Sequence, residues 1–168
     1  VSTLTEGSDA AAAARMVELV DRHGIDLLVL AGYMKLVYPS LLARLRNRVV
    51  NIHPALLPAF GGEGCYGHRI HEAVVTRGCQ YTGVTIHMVN EHYDAGQIVL
   101  QRVVPVRPGM TADMVGAAVL EREHLYYWKV IRAFADGEIV PTASDAPDKA
   151  VELSRFLARM SHEEEPLS

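Results

Sequence analysis

The sequence predicts an α/β fold: an open, mostly parallel, twisted sheet with an antiparallel edge pair, flanked by helices. Three observations predict it. IDLLVLAG (25–32) is an unbroken apolar run of strand length, the pattern of a strand buried on both faces. Helical and strand patterns then alternate through VVNIHP (49–54), the rhythm of a doubly wound sheet. Finally, TGVTIHMV and QIVLQRVVPV are separated only by NEHYDAG, which suits an antiparallel pair joined to the parallel strands.

Taken in order, AAAARMVELVDRHG reads as a helix capped by Ser8 or Asp9, with apolar positions at Ala13, Met16, Val17 and Val20 and a stop at Gly24. After the first strand, a helix starts near Pro39–Ser40. VVNIHP is the next strand, and Ala59–Gly67 is a glycine-dense loop whose spacing is not that of a dinucleotide fingerprint. His68–Arg77 reads as a helix with Ala73 and Val74 on its buried side. The strand pair follows, and Thr111 then caps a long helix reaching about Phe134. VPTASDAP is linker-like, Lys149–Met160 forms a short amphipathic helix, and the final SHEEEPLS reads as disordered. The expected division is a main domain over 1–140 and a linker, short helix and acidic tail over 141–168.

Bulk properties narrow the function. With 168 residues, 49% hydrophobic and 21% charged, the chain can bury a core as one domain. A net charge of −4 offers no basic footprint for nucleic acid. Cys65 and Cys79 form no C-x-x-C and suit a reducing cytoplasm. No apolar run is long enough to span a membrane.

The residues that invite chemistry lie in VVNIHP. Asn51 and His53 are two apart in a strand, so they share a face, and Pro54 ends the strand just beyond them. The carboxyl end of a buried strand is where open α/β sheets hold ligands. Two readings stay open: polar strand-end residues facing water, or an amide and an imidazole aimed at a substrate. Asp94, in the DAG turn, is either a turn aspartate bonded to its own backbone or a partner of His53. In the second case the carboxylate favours imidazolium and raises the pKa of His53, giving a proton donor near neutral pH. Asn51 would stabilise an oxyanion. With no serine or cysteine nucleophile in the group, direct acyl-type transfer between two bound substrates is expected. Among the eight histidines, His68 and His71 form an H-x-x-H too weak to indicate a metal, and no metal is expected.

NIHPALLP followed by GVTIHMVNEHYDAGQI resembles the folate-dependent formyltransferase family over roughly Ile25–Gly137. The resemblance implies a Rossmann-like sheet of formyltransferase type. It implies transfer of a formyl group from 10-formyltetrahydrofolate, as co-substrate, to the amine of 5′-phosphoribosylglycinamide (GAR) in purine biosynthesis. By it, Asn51, His53 and Asp94 match the family's catalytic residues. Tyr33, Met34, Lys35, Leu36 and Val37, with Val89, Asn90 and His92, match the folate side. Lys35 stands in place of a more familiar arginine and lacks its bidentate reach. Gly32 and Glu123 match positions that meet GAR, Glu123 at the ribose. His87 aligns with a histidine near the site, equally readable as a satisfied buried histidine. The implied reaction runs by attack of the neutral amine on the formyl carbon. Asn51 and imidazolium His53 hold the oxyanion, Asp94 steadies His53, and a proton moves to folate N10.

The family's full-length members open with a strand and a phosphate-binding loop at a helix N-terminus, for which Val1–Ile25 has no counterpart. The chain is therefore expected to be N-terminally incomplete by roughly sixty residues, two units of about thirty each. The expected setting is cytoplasmic, with small-molecule partners, no nucleic acid, no membrane, and a monomer or homodimer. Two alternatives accompany this reading. One is formyltetrahydrofolate deformylase, which carries a second histidine where Pro54 stands. The other is a non-catalytic folate-binding remnant, or a subunit that lacks the phosphate loop.

Overall fold

The computed structural model of the protein describes residues 6–144, 146 and 148–161. Its elements are α1 (Glu6–His23), β1 (Leu28–Leu30), α2 (Pro39–Arg44), β2 (Val49–His53), α3 (His68–Thr76), β3 (Tyr81–Met88), β4 (Ile98–Pro105), α4 (Ala112–Ala135), β5 (Val140–Pro141), β6 (Val151–Glu152) and α5 (Ser154–Ser161). The main sheet has the order β1-β2-β3-β4. β1 pairs with β2 in parallel, whereas β3 runs against both β2 and β4. β1, β2 and β4 thus share one direction and β3 alone is reversed. This is the expected α/β class with its antiparallel edge pair, although only one of the ladders is parallel.

Local chemistry explains most boundaries. Pro39 opens α2 at a position whose N–H needs no partner. The Thr111 side chain accepts from Met114 N at 3.3 Å and caps α4 as expected. Other expectations are corrected. α1 already runs at Glu6, ahead of the expected Ser8 or Asp9 cap, and the Asp9 carboxylate instead accepts from the Tyr38 hydroxyl at 3.4 Å. The first strand shrinks to Leu28–Leu30, and Val29 is 37% exposed rather than buried on both faces, because β1 is the edge of the described sheet.

One core cluster joins Val50, Ile52, Ile86, Met88 and Leu100 of the sheet to Tyr126, Val130 and Ala133 of α4. Ala150, Val151, Phe156 and Met160 belong to that same cluster, so the segment read as linker and helix packs into the main core. Two bonds from Gln97 hold it there: Nε2 donates to Val151 O (3.0 Å) and Oε1 accepts from Val151 N (2.8 Å). The helix read over Lys149–Met160 is shorter, Ser154–Ser161, because Val151–Glu152 is spent on the β5–β6 pair. The tail expected to be disordered, 161–168, is helical at its first residue, since Ser161 ends α5; the rest, 162–168, lies outside the described residues. A second cluster packs α3 and the first half of α4 on Ala55, Val84 and Val104, and a third packs α1 and α2 on Val49. No described helix is long and apolar enough to cross a membrane.

Phe156 is 0% exposed. Phe156→Ala is expected to destabilise the whole chain by about 3–5 kcal/mol, the range for a large core aromatic. Denaturant unfolding followed by Trp128 fluorescence checks this, and a loss below about 1 kcal/mol would show that α5 is not part of the cooperative core.

Candidate active site

β2 alternates as its period-2 geometry requires. Val50 and Ile52 enter the core, while Asn51 and His53 project to the other side. Across the antiparallel ladder Asn51 faces His87 and His53 faces Thr85, so the reversed β3 adds an imidazole and a hydroxyl to the same surface. The β3–β4 register shifts between Ile86 and His87, a bulge of the kind that re-aims a side chain beside a site.

Thr85 fixes the chain beyond the strand. Its hydroxyl donates to Ala55 O (2.7 Å) and accepts from Leu57 N and from Gln101 Nε2 (both 3.0 Å). The loop then returns over His53, whose Nε2 lies 3.0 Å from Phe60 O. A carbonyl can only accept, so the proton belongs on Nε2. The Asp94 turn comes from the other end of β3. Gly96 permits it: a Cβ there would sit 1.9 Å from Met88 O, so the chain passes too close to β3 for any side chain. Asp94 itself has φ 53°, a left-handed conformation that aspartate tolerates.

Asp94 is the hub. Oδ2 accepts from Gly62 N at 2.9 Å and lies 3.6 Å from His53 Nδ1, while Oδ1 lies 3.5 Å from His87 Nε2. His87 Nδ1 lies 2.9 Å from Met88 O, a carbonyl that can only accept, so Nδ1 carries a proton, and Nε2 lies 3.2 Å from Asn51 Nδ2. That contact fixes which way the Asn51 amide points and leaves its second N–H for a ligand.

Electrostatics correct one expectation. Burial pushes the His53 pKa below its ordinary 6.5; the Asp94 carboxylate and the Phe60 carbonyl pull it up, but burial wins. The resting ring is therefore neutral, not the imidazolium expected from the sequence. For Asp94 the balance runs the other way. Burial raises its pKa, yet the His87 contact, the Gly62 N–H and the two imidazoles together hold it below the usual carboxylate range.

A cavity of about 810 Å³ opens over this surface, and every residue singled out from the sequence lines it. Asn51, His53, His87 and Asp94 form its inner wall. Gly32 and Tyr33 through Val37 form one side with Val89, Asn90 and His92, and Glu123 enters from α4. Met34 and Leu36 are exposed apolar residues at the mouth, whereas Val37 is buried. Burial raises the Glu123 pKa, against a smaller opposing pull from His124. Sequence reasoning missed Tyr127, Trp128 and Ile131 of α4, the loop residues Cys65 and Tyr66, and the lining role of His71. Helical spacing from Glu123 carries a signal for Tyr127, Trp128 and Ile131; the loop carries none. Among the described residues, no three His, Cys, Asp or Glu side chains are grouped to hold a metal.

Comparison with known proteins gives a consistent picture. Residues 5–131 match the model of the formyl transferase family. The chain is 45% identical over 125 residues to the chloroplastic phosphoribosylglycinamide formyltransferase of Vigna unguiculata, covering 74% of this chain and 40% of that protein. Its fold is similar to the crystal structure of glycinamide ribonucleotide transformylase 1 from Symbiobacterium toebii, with TM-score 0.69, 38% identity, and coverage of 78% and 59%. It is also similar to a formyltetrahydrofolate deformylase from Pseudomonas syringae, with TM-score 0.69, 29% identity, and coverage of 79% and 43%. The chain spans about half the length of the curated relatives it matches.

Because the folded His53 pKa lies below 6.5, the unfolded chain takes the extra proton first as pH falls. The stability that neutral His53 contributes is complete above pH 6.5 and is lost as pH falls through the folded value. Ring NMR is expected to place the His53 midpoint below 6.5. In Asp94→Asn it should drop further, because the carboxylate that raises it is gone; an unmoved midpoint would deny the coupling.

Proposed function

The chain belongs to the formyl transferase family, and from that premise we propose that it carries the folate-binding and catalytic half of an enzyme transferring a formyl group from 10-formyltetrahydrofolate to the amine of GAR. The observation that carries this reading is the convergence of Asn51, His53 and Asp94 on one cavity wall, with no protein nucleophile among them. The folate lies against Tyr33–Val37, Val89, Asn90 and His92. GAR lies between Gly32 and Glu123, with its amine toward His53.

The neutral amine attacks the formyl carbon, forming a C–N bond while the carbonyl π pair moves onto oxygen. The free N–H of Asn51 donates to that oxyanion. His53 begins neutral and accepts the proton leaving the attacking nitrogen on Nδ1, the nitrogen facing Asp94. The imidazolium so formed lies between the Asp94 carboxylate and the oxyanion, which together repay its burial. Collapse of the intermediate breaks the bond to folate N10, which takes the proton from His53. Asp94 thus acts by making a transient charge tolerable, and His87 acts by holding the Asn51 amide.

The deformylase reading differs only in the nucleophile, water in place of the amine. The full chain is given 10-formyltetrahydrofolate with and without GAR, and deformylated folate is followed. Product that depends on GAR supports transfer, product without GAR supports hydrolysis, and folate binding with neither supports a non-catalytic role. Asp94→Asn is expected to lower turnover by about 10²–10⁴ with folate binding retained. Asn51→Ala is expected to lower it by about 10²–10³. Unchanged turnover in either variant would remove that residue from the mechanism.

A further inference from the structure

We propose that Gln101 is a positioning residue for formyl transfer. By fastening Leu57 it sets the Phe60 carbonyl that keeps the His53 proton on Nε2 and leaves Nδ1 to receive one from the attacking amine. This rests on reading His53 as the proton acceptor of that reaction.

The sheet puts Gln101 in line with the site but outside it. His53 on β2 faces Thr85 on β3, and Thr85 faces Gln101 on β4. Residues directly opposite on paired strands share a face, so the three form one polar row. Two strand spacings, roughly 10 Å, separate Gln101 from His53. Gln101 is half-buried and does not line the cavity, so it does not serve by touching a ligand there.

Its amide reaches instead the chain that leaves β2. Nε2 donates to Leu57 O at 2.9 Å and to Thr85 Oγ1 at 3.0 Å. An amide nitrogen carries two N–H groups and a carbonyl only accepts, so these bonds use both donors and fix the orientation of the amide. The Thr85 hydroxyl is spent as well, donating to Ala55 O and accepting from Leu57 N and Gln101. Leu57 is thus held by its N–H through Thr85 and by its carbonyl through Gln101.

Three residues on, Phe60 has φ 56°, a left-handed conformation that a bulky side chain keeps only where its surroundings impose it. The surroundings act from both sides. Behind Phe60 stands the fastened Leu57. Ahead of it, a Cβ on Gly61 would lie 2.5 Å from Leu57 Cδ2 and 3.3 Å from Asp94 Cβ, and Gly62 N donates to Asp94 Oδ2. The Phe60 ring itself lies under the Arg77 guanidinium, 5.0 Å away. In this conformation Phe60 O stands 3.0 Å from His53 Nε2 and dictates the tautomer. Releasing Leu57 frees Phe60 to relax, and relaxation re-aims that carbonyl.

The test reads the full chain with its histidine rings labelled with nitrogen-15. Wild-type His53 is expected as the Nε2–H tautomer when neutral; a neutral ring protonated on Nδ1 overturns the proposal before any variant is made. In Gln101→Leu the ring is expected as a mixture of tautomers, with a lower midpoint because the Phe60 carbonyl no longer pulls it up. In that variant kcat should fall about tenfold to a hundredfold, a part of the 10²–10⁴ that a positioned base contributes. The acid limb of kcat should move to lower pH, and KM for 10-formyltetrahydrofolate should stay as it was. Gln101→Asn, one methylene short of Leu57 O, is expected to behave alike and is read alone if Gln101→Leu does not fold. An unmoved tautomer and midpoint overturn the positioning role even where kcat falls, since lost packing alone lowers activity. A changed tautomer with unchanged kcat overturns it too. A wild-type chain that transfers no formyl group sinks the function, and the ring signals still decide whether Gln101 sets His53.

Discussion

A single carboxylate, that of Asp94, ties the site together. It takes the Gly62 N–H from the glycine-rich loop, faces His53 on β2 and faces His87 on β3. Three segments distant in the chain are thereby referred to one charge. The charge is stable because the hydrogen bonds and imidazole contacts around it outweigh its burial. Removing it would loosen the loop and leave the His53 and His87 rings without the carboxylate they share.

The sheet makes that convergence possible. Asn51 and His53 share a face by simple alternation, but the reversed β3 sets His87 and Thr85 opposite them. The bulge at Ile86/His87 and the side-chain-free passage at Gly96 then bring the next turn back across β3. The site is thus a paired ladder with a clamped exit at Thr85, over which the glycine-rich loop is tied to His53 and Asp94.

Burial sets the protonation state of His53 at rest. Desolvation outweighs the carboxylate, so the ring waits uncharged, and a charge there becomes favourable only when an opposite one develops beside it. The same enclosure depends on the C-terminal segment. Phe156 and Met160 complete the core cluster beneath β2 and β3, and Gln97 fastens that segment to the start of β4. The strands that present the site are held from behind by residues far along the chain.

The amino-acid sequence by itself determined the α/β class, the capped α4, the antiparallel strand pair, and the pairing of Asn51 with His53 on one face. All of these follow from period, capping and turn chemistry within a few residues. The family resemblance carried by its paired motifs also named one set of lining residues, though not Tyr127, Trp128 or Ile131 of α4. What only the tertiary structure decided depends on distant neighbours. β1 became a short exposed edge because of its place in the sheet, not its composition. The Lys149–Met160 stretch became core because other elements left an apolar surface for it. His53 became neutral because desolvation is a property of the enclosure and outweighs the one charge that the sequence revealed. His71 is buried against the bare face of Gly116 on α4, a contact between residues forty-five apart that no local pattern carries.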